Sequence, residues 1–393
     1  MKKRRDAANK VAIVSAKPFL MDIPEEVMAI ITSSCDWPAI QSLRKTCHAL
    51  RDFTDIDKYK KPVSAITIKR KRNSVLLEFC VGKEQASVGR QSLYPNGPRI
   101  SLEYSSHPSG CMVSMEQRKG KKKQRIVKEA NYMKVFWGDF KTLLSQRHDT
   151  PLQNFKLDSD LLPSFKPGKG QMREMREFLA EFPKTVRLHG LLKTTAFSIK
   201  IEKGDQFADI LPVLDSAHLK KLHVSPIMKY GHPNWSWMTI WDFFKLSKTL
   251  QWKSARELIL TDIEAFLDVE DILHFTKVDI RNHTINNNQF RTLMKSFFKS
   301  CNTEKKFDIR AYWPGSDVQI QRQWVLENRY YYRSRHTELI LAILFSRKLV
   351  KMELMKQSKV PHGQMIRDFD AEDVEKNDEE KEDGDGGKND KND

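Results

Sequence analysis

With 393 residues, 39% of them hydrophobic and 10% aromatic, the chain has the composition of a folded globular protein long enough for two or three domains. No apolar run nears the eighteen or more residues of a membrane span; the longest, 339–345, has seven. The formal net charge of +17 divides into −8 on residues 367–393, with thirteen acidic against five basic side chains, and +25 on residues 1–366, a basic body suited to acidic proteins, nucleic acid or anionic surfaces.

Residues 1–17 are basic, too poor in apolar residues for a signal peptide, and read as a disordered tail. Its Lys2-Lys3-Arg4-Arg5 run has the composition of a nuclear import signal, so a protein of the cytoplasm, the nucleus or both is expected. Residues 18–57 follow as a small helical element. Asp22 and Glu25 flank Pro24 in the pattern of a capping box with proline in the first turn. Val27, Ile30 and Ile31 then make an apolar stripe at helical spacing. Asp36-Trp37-Pro38 restarts a second helix, along which Ile40, Leu43, Cys47 and Leu50 recur three and four apart, Cys47 being read as a small core residue. So much apolar surface in under forty residues asks for a partner to complete it.

These residues resemble an F-box. The resemblance is carried by Ile23-Pro24, Glu26-Val27, the Ile30-Ile31 pair, Asp36-Trp37, and Leu43-Arg44-Lys45 with Cys47, Leu50 and Arg51. The last run is similar to the form found in nematode-type F-box proteins that also carry an FTH domain; Ile23 stands where the family usually has Leu or Met. The resemblance implies docking on a Skp-family adaptor, and through it on a cullin–RING ubiquitin ligase. Its adaptor-binding residues would be Pro24, Val27, Ile30, Ile31, Ile40, Leu43 and Arg44.

Residues 58–150 read as a β-rich region with a helix. Strands are expected over 63–68 and 75–81, joined as a hairpin, and over 100–104 and 111–115. Lys119 to Arg125 reads as a basic loop, and 126–146 as a helix whose face includes Ile126, Phe136, Trp137 and Phe140. Across 151–335 short strand-like pieces (154–158, 185–189, 219–224, 255–260, 275–280, 305–309) alternate with helical segments (172–182, 207–214, 240–250, 269–274, 289–300). From Leu157 the corresponding apolar positions advance by 31, 34, 36, 20 and 29 residues. That alternation predicts an irregular, leucine-rich-repeat-like α/β arc, with a compact α/β domain as the alternative. A last helix over 336–357 is expected to cap it, followed by an acidic disordered tail over 358–393.

Within this region 210–222, 251–258 and 272–278 look like the FTH domain, and with the F-box the resemblance covers about half the chain. Candidate chemistry is sparse. Lys166-Pro167-Gly168-Lys169-Gly170 lacks the spacing of a phosphate loop, eleven histidines include no paired metal spacing, and no nucleophile elbow is present. Five scattered cysteines have no CxxC spacing and fit a reducing compartment. No catalytic residue, metal or cofactor is therefore expected. Trp235 and Trp237 follow a Gly231-His232-Pro233 turn and are candidate substrate-binding residues, with Arg256, Arg281 and Arg310 as a candidate phosphate-reading patch on the strands. The resulting reading is a substrate receptor that joins a target protein to an SCF-type ligase; a nucleic-acid-binding protein and an F-box scaffold without ubiquitin transfer are the alternatives.

Overall fold

The computed structural model describes residues 23–35, 37–56, 62–81, 99–116, 122–146, 149–159, 169–227, 237–238, 240–265, 267–282, 285–300, 302–311, 328–334, 337–346 and 349–369. The chain divides into two compact units, Met1–Pro62 with Gln146–His148, and the remainder.

The first unit is helical: α1 (Glu25–Ser34), α2 (Trp37–Arg44) and α3 (His48–Asp55). Pro24 precedes α1 rather than opening it. Its carbonyl accepts the Val27 and Met28 N–H groups at 3.0 Å, and as the N-cap Pro24 makes no side-chain cap hydrogen bond. Asp22 lies outside the described residues. A turn through Lys45 and Thr46 ends α2, so the apolar spacing over 40–50 belongs to two helices instead of one. Cys47 is accordingly not a core residue. It is exposed, and its Sγ accepts the Leu50 N–H at 3.4 Å as the N-cap of α3.

All described strands of the second unit join one sixteen-stranded sheet. Its first strands are β1 (Val63–Arg70), β2 (Ser74–Val81), β3 (Arg99–His107), β4 (Gly110–Glu116) and β5 (Lys122–Lys128), with β1 to β5 an antiparallel meander. The expected basic loop is thus partly strand. Ile126 belongs to β5, and the helix that follows, α4 (Tyr132–Gln146), starts six residues later than its apolar residues suggest. The central elements are β6 (Leu152–Ser159), α5 (Lys169–Arg187), β7 (Thr194–Ile201), α6 (Gly204–Ile210), β8 (Lys221–Pro226), β9 (Trp237–Met238), α7 (Ile240–Ser247), α8 (Leu250–Ser254), β10 (Glu257–Ala265), β11 (Lys277–Asn282), α9 (Asn287–Ser300) and β12 (Lys306–Ala311). β1, β6, β7, β8, β10, β11 and β12 lie side by side in that order, all parallel.

Parallel neighbours in sequence order need crossovers of one hand, which puts their helices on one face. The apolar strand residues agree. Phe155, Phe197, Leu222, Leu258, Val278 and Phe307 stand in register across six strands and are all buried. Phe155 meets Phe182 of α5 at 5.4 Å between ring centroids, and Phe307 meets Phe297 of α9 at 5.0 Å. The steps between these positions are 42, 25, 36, 20 and 29 residues, an irregular α/β succession of the expected kind. The expected strand at 185–189 is an error: α5 continues through Thr185 and Val186, both buried, and Gly190 at φ 87° follows the turn that ends it. The strand that pairs with β6 is β7.

Beyond β12 comes β13 (Asn328–Arg333), and the helix expected over 336–357 is replaced by β14 (Leu339–Ser346) and β15 (Leu349–Lys356). β12 pairs antiparallel with β15, β15 with β14, and β14 with β13. Seven consecutive apolar residues fit a buried strand as well as a buried helix, and here Ile340, Leu341, Ala342 and Ile343 are all buried, as a strand covered on both faces requires. Residues 358–369 of the expected disordered tail are instead ordered, the chain running back to add β16 (Ile366–Asp368) parallel to β13; the rest of that tail, and 1–17, lie outside the described residues.

Candidate interaction surfaces

The helical unit turns part of its apolar stripe outward. Among the described residues Met28 (2% exposed), Ile40 (5%) and Leu50 (3%) are its buried apolar side chains, and Thr32 is buried with its hydroxyl donating to the Met28 carbonyl at 2.9 Å. Val27 and Ile30, one turn apart on α1, are 43% and 65% exposed. Of the residues expected to bind an adaptor, Pro24, Val27 and Ile30 are exposed, Ile31, Leu43 and Arg44 are half-buried, and Ile40 is core. The inward role of Met28 was missed because the stripe was drawn through Ile30 and Ile31; a Met28–Thr32 spacing of four is the signal that places it. Ile56, 44% exposed just after α3, adds to the unit's exposed apolar surface.

On the sheet, the strand positions opposite the helix-covered side form rows of polar residues. One row runs Thr67, Lys156, Ser198, His223, Ile259, Asp279 and Asp308, and the next runs Asn154, Ala196, Lys221, Glu257, Lys277 and Lys306. Most of the described charges here are neutralised locally. Glu257 takes Lys277 at 3.0 Å and Lys221 at 3.4 Å, and both cations hold its carboxyl below its ordinary pKa against the opposing effect of burial. Asp158, with a side chain 6% exposed, takes Lys200 at 2.7 Å and Lys156 at 2.8 Å. Burial favours its protonated form, but the hydrogen bonds from the two lysines outweigh it and the carboxyl titrates low. His223 is half-buried between the Ser198 and Thr261 hydroxyls (3.4 and 3.0 Å); burial first, then Lys156 and Lys221, keeps its imidazole neutral to a lower pH than usual. Asp308 Oδ1, on the same row, is buried without a hydrogen-bond donor.

The ion-paired carboxylate supports a prediction. Asp158→Asn is expected to lower the unfolding free energy by about 1–2 kcal/mol at pH 7. Because the folded pKa is depressed below the ordinary 3.8, this contribution is complete above that value and is lost as pH falls through the folded pKa. Urea titrations of both proteins at pH 7 and pH 3 check it; equal stability at pH 7 would refute the assigned role.

The candidate substrate residues are only partly brought together. Arg281 and Arg310 are register partners on adjacent strands, and Arg310 is exposed. Arg256 precedes β10 at the opposite end of the parallel strands, where its carbonyl accepts Thr276 and Lys277 N–H. Thr276 lies five residues before Arg281, roughly 17 Å along a strand, too far for one phosphate. Trp237 is in β9, paired with Glu264 of β10, while Trp235 lies outside the described residues. Lys156, Lys200 and His223 were missed, although each sits between two buried apolar residues in a period-two pattern that marks an outward strand position. Among the described residues no helix is long and apolar enough to cross a membrane, and no group of three or more His, Cys, Asp or Glu side chains has the geometry to hold a metal ion.

Comparison with known proteins locates the sheet's central part. Residues 176–318, from within α5 to beyond β12, match the FTH domain. The chain is also similar to F-box A protein 224 of Caenorhabditis elegans, 24% identical over 268 residues, which is 68% of this chain and 60% of that relative's length. No solved structure matches.

Proposed function

We propose that this chain, which carries an FTH domain at residues 176–318, is the non-catalytic substrate receptor of an SCF-type cullin–RING ubiquitin ligase. The helical unit docks as an F-box on a Skp-family adaptor, and the FTH-bearing sheet holds a target protein. The name of the similar nematode protein supports the F-box assignment. The observation that carries it is the outward pair Val27 and Ile30 on a helical unit that is compact by itself. Each such side chain gains about 1.5–3 kcal/mol on full burial, which association costs reduce. Ubiquitin transfer then follows from effective concentration: the receptor keeps a target lysine near an E2 recruited by other subunits. The site of action is the cytoplasm, the nucleus or both.

Co-expression of the full chain with a Skp-family adaptor tests the reading. A stoichiometric complex through affinity and size-exclusion steps is expected, and failure to co-purify would exclude it. A nucleic-acid-binding role draws on β5, where Lys122, Lys123, Arg125 and Lys128 are exposed along the sheet's last strand. Lysines along an edge strand also serve to block pairing with other chains. Binding that weakens steeply with rising salt would favour the nucleic-acid role.

A further inference from the structure

The far edge of the sheet is closed by a short piece of the chain's own C-terminal segment. After β15 the chain returns across the sheet and places only Ile366–Asp368 beside β13, in parallel register: Tyr331 opposite Ile366, Tyr332 opposite Arg367, Arg333 opposite Asp368. The contacts of those residues are side-chain specific. Ile366 packs on the buried cluster of Tyr331, Ile340 and Ala342. On the other face, Arg367 lies over the Tyr330 ring at 5.1 Å. Asp368 Oδ1 receives Arg333 Nε and Nη2 at 3.1 and 2.9 Å, and Phe369 stacks on Phe298 of α9 at 5.1 Å while its N–H donates to the Arg333 carbonyl at 2.8 Å.

Little holds this strand in place. It has three paired residues, Arg367 and Asp368 are exposed, and the preceding Met365 is 75% exposed. Its ion pair is open to solvent on both sides, at 52% and 57% exposure, where such pairs contribute little. Strands added to a sheet edge bind through the backbone and are selected by alternate side chains. A hollow of about 810 Å³, lined in part by Arg333, Glu338, Lys356 and Asp368, lies beside Asp368.

We infer that the β13 edge is a peptide-binding site, held in cis by residues 366–369 and taken in trans by an extended segment of a target protein with the order aliphatic, basic, acidic, aromatic. The aliphatic residue enters the Tyr331 cluster, the base lies over Tyr330, the acid meets Arg333 and the aromatic ring stacks on Phe298. This deepens only the target-binding half of the proposed function. The assay below contains no adaptor, so its failure is separable from failure of the F-box reading.

The probe is a fluorescein-labelled peptide with the sequence of residues 363–369, titrated by anisotropy against the full chain and against full-length Ile366→Asp/Phe369→Ala, whose internal strand lacks both apolar anchors. The variant is expected to bind at least ten-fold tighter than wild type. Lysine in place of the peptide's aspartate should abolish binding, and Arg333→Glu added to the variant should restore it. Equal binding by the two proteins, or indifference to the charge at position 333, overturns the proposal. If the variant does not fold, hydrogen exchange on the wild-type chain decides. The Phe369 amide is expected to exchange at least 100-fold faster than the amides of β14, and equal protection overturns the inference. A doubled mass in light scattering that disappears in the variant would mean that two copies exchange this segment, and would also overturn it.

Discussion

Full-length Val27→Asp/Ile30→Asp is expected to lose at least 100-fold in affinity for a Skp-family adaptor while its unfolding free energy changes by less than about 0.5 kcal/mol. The separation of effects rests on exposure. At 43% and 65% exposed, the two side chains contribute little to their own unit, so a carboxylate there meets water in the free protein. The parts of the two side chains still exposed amount to about one whole side chain, so in a complex that covers them the variant forfeits about 1.5–3 kcal/mol of apolar burial and has two charges to desolvate. A hundred-fold change needs only about 2.8 kcal/mol. Ile40→Asp gives the contrasting result: that residue is 5% exposed, so the charge falls in the core and the unit unfolds, abolishing adaptor binding for a different reason. Isothermal titration with purified adaptor, beside chemical unfolding of each variant, distinguishes the two. Undiminished affinity of the double variant would place the adaptor contact elsewhere and remove the observation on which the functional proposal rests.

A second large effect is buried in the region that matches the FTH domain. Lys305, 4% exposed, stands just before β12, and its Nζ donates to the Ser296 hydroxyl at 2.7 Å, the Leu273 carbonyl at 3.0 Å and the Ser296 carbonyl at 3.4 Å. Phe297 and Phe307 flank the amine at 5.3 and 5.5 Å from their ring centres. One side chain thus joins α9, the segment before β11 and the start of β12. Burial lowers its pKa from 10.5 to about 8. Between those two values the unfolded chain binds the proton and the folded chain does not, so this group's contribution to stability rises with pH across that window. The full shift corresponds to about 3 kcal/mol, an upper bound because the surrounding oxygens also favour the charged amine. Lys305→Met removes the titration. The stability of wild type relative to the variant should therefore increase by about 2–3 kcal/mol from pH 7.5 to pH 10.5, as measured by urea unfolding at both values. A difference independent of pH would show that the amine does not titrate in this window.

The sequence was most legible where a local pattern and its surroundings agreed. The expected strands at 63–68, 75–81, 100–104 and 111–115 lie within β1 to β4, and those at 275–280 and 305–309 overlap β11 and β12. Alternation was also present in Leu349 to Lys356, where Val350, Met352 and Leu354 are buried and their neighbours are not, yet the uninterrupted apolar run before it suggested a helix. Thr185 to His189 erred in the other direction. Its β-branched residues favour a strand, but Phe178, Phe182 and Val186 continue the buried side of α5, and packing on Phe155 outweighs local preference.

Sequence by itself determined that a small helical unit precedes a long α/β succession, because turn residues and apolar period act within a few positions of one another. It also carried the F-box and FTH resemblance. Only the tertiary structure decided which apolar residues of α1 face water, since Met28 is buried and the more hydrophobic Ile30 is exposed. Only the register of the sheet brought Asp158 to two lysines, set Arg281 beside Arg310 and left Arg256 apart. The edge filled by Ile366–Asp368 belongs to the same class: its partner strand lies more than thirty residues earlier, and pairing over that distance is settled by which edge remains open when the rest of the sheet has formed.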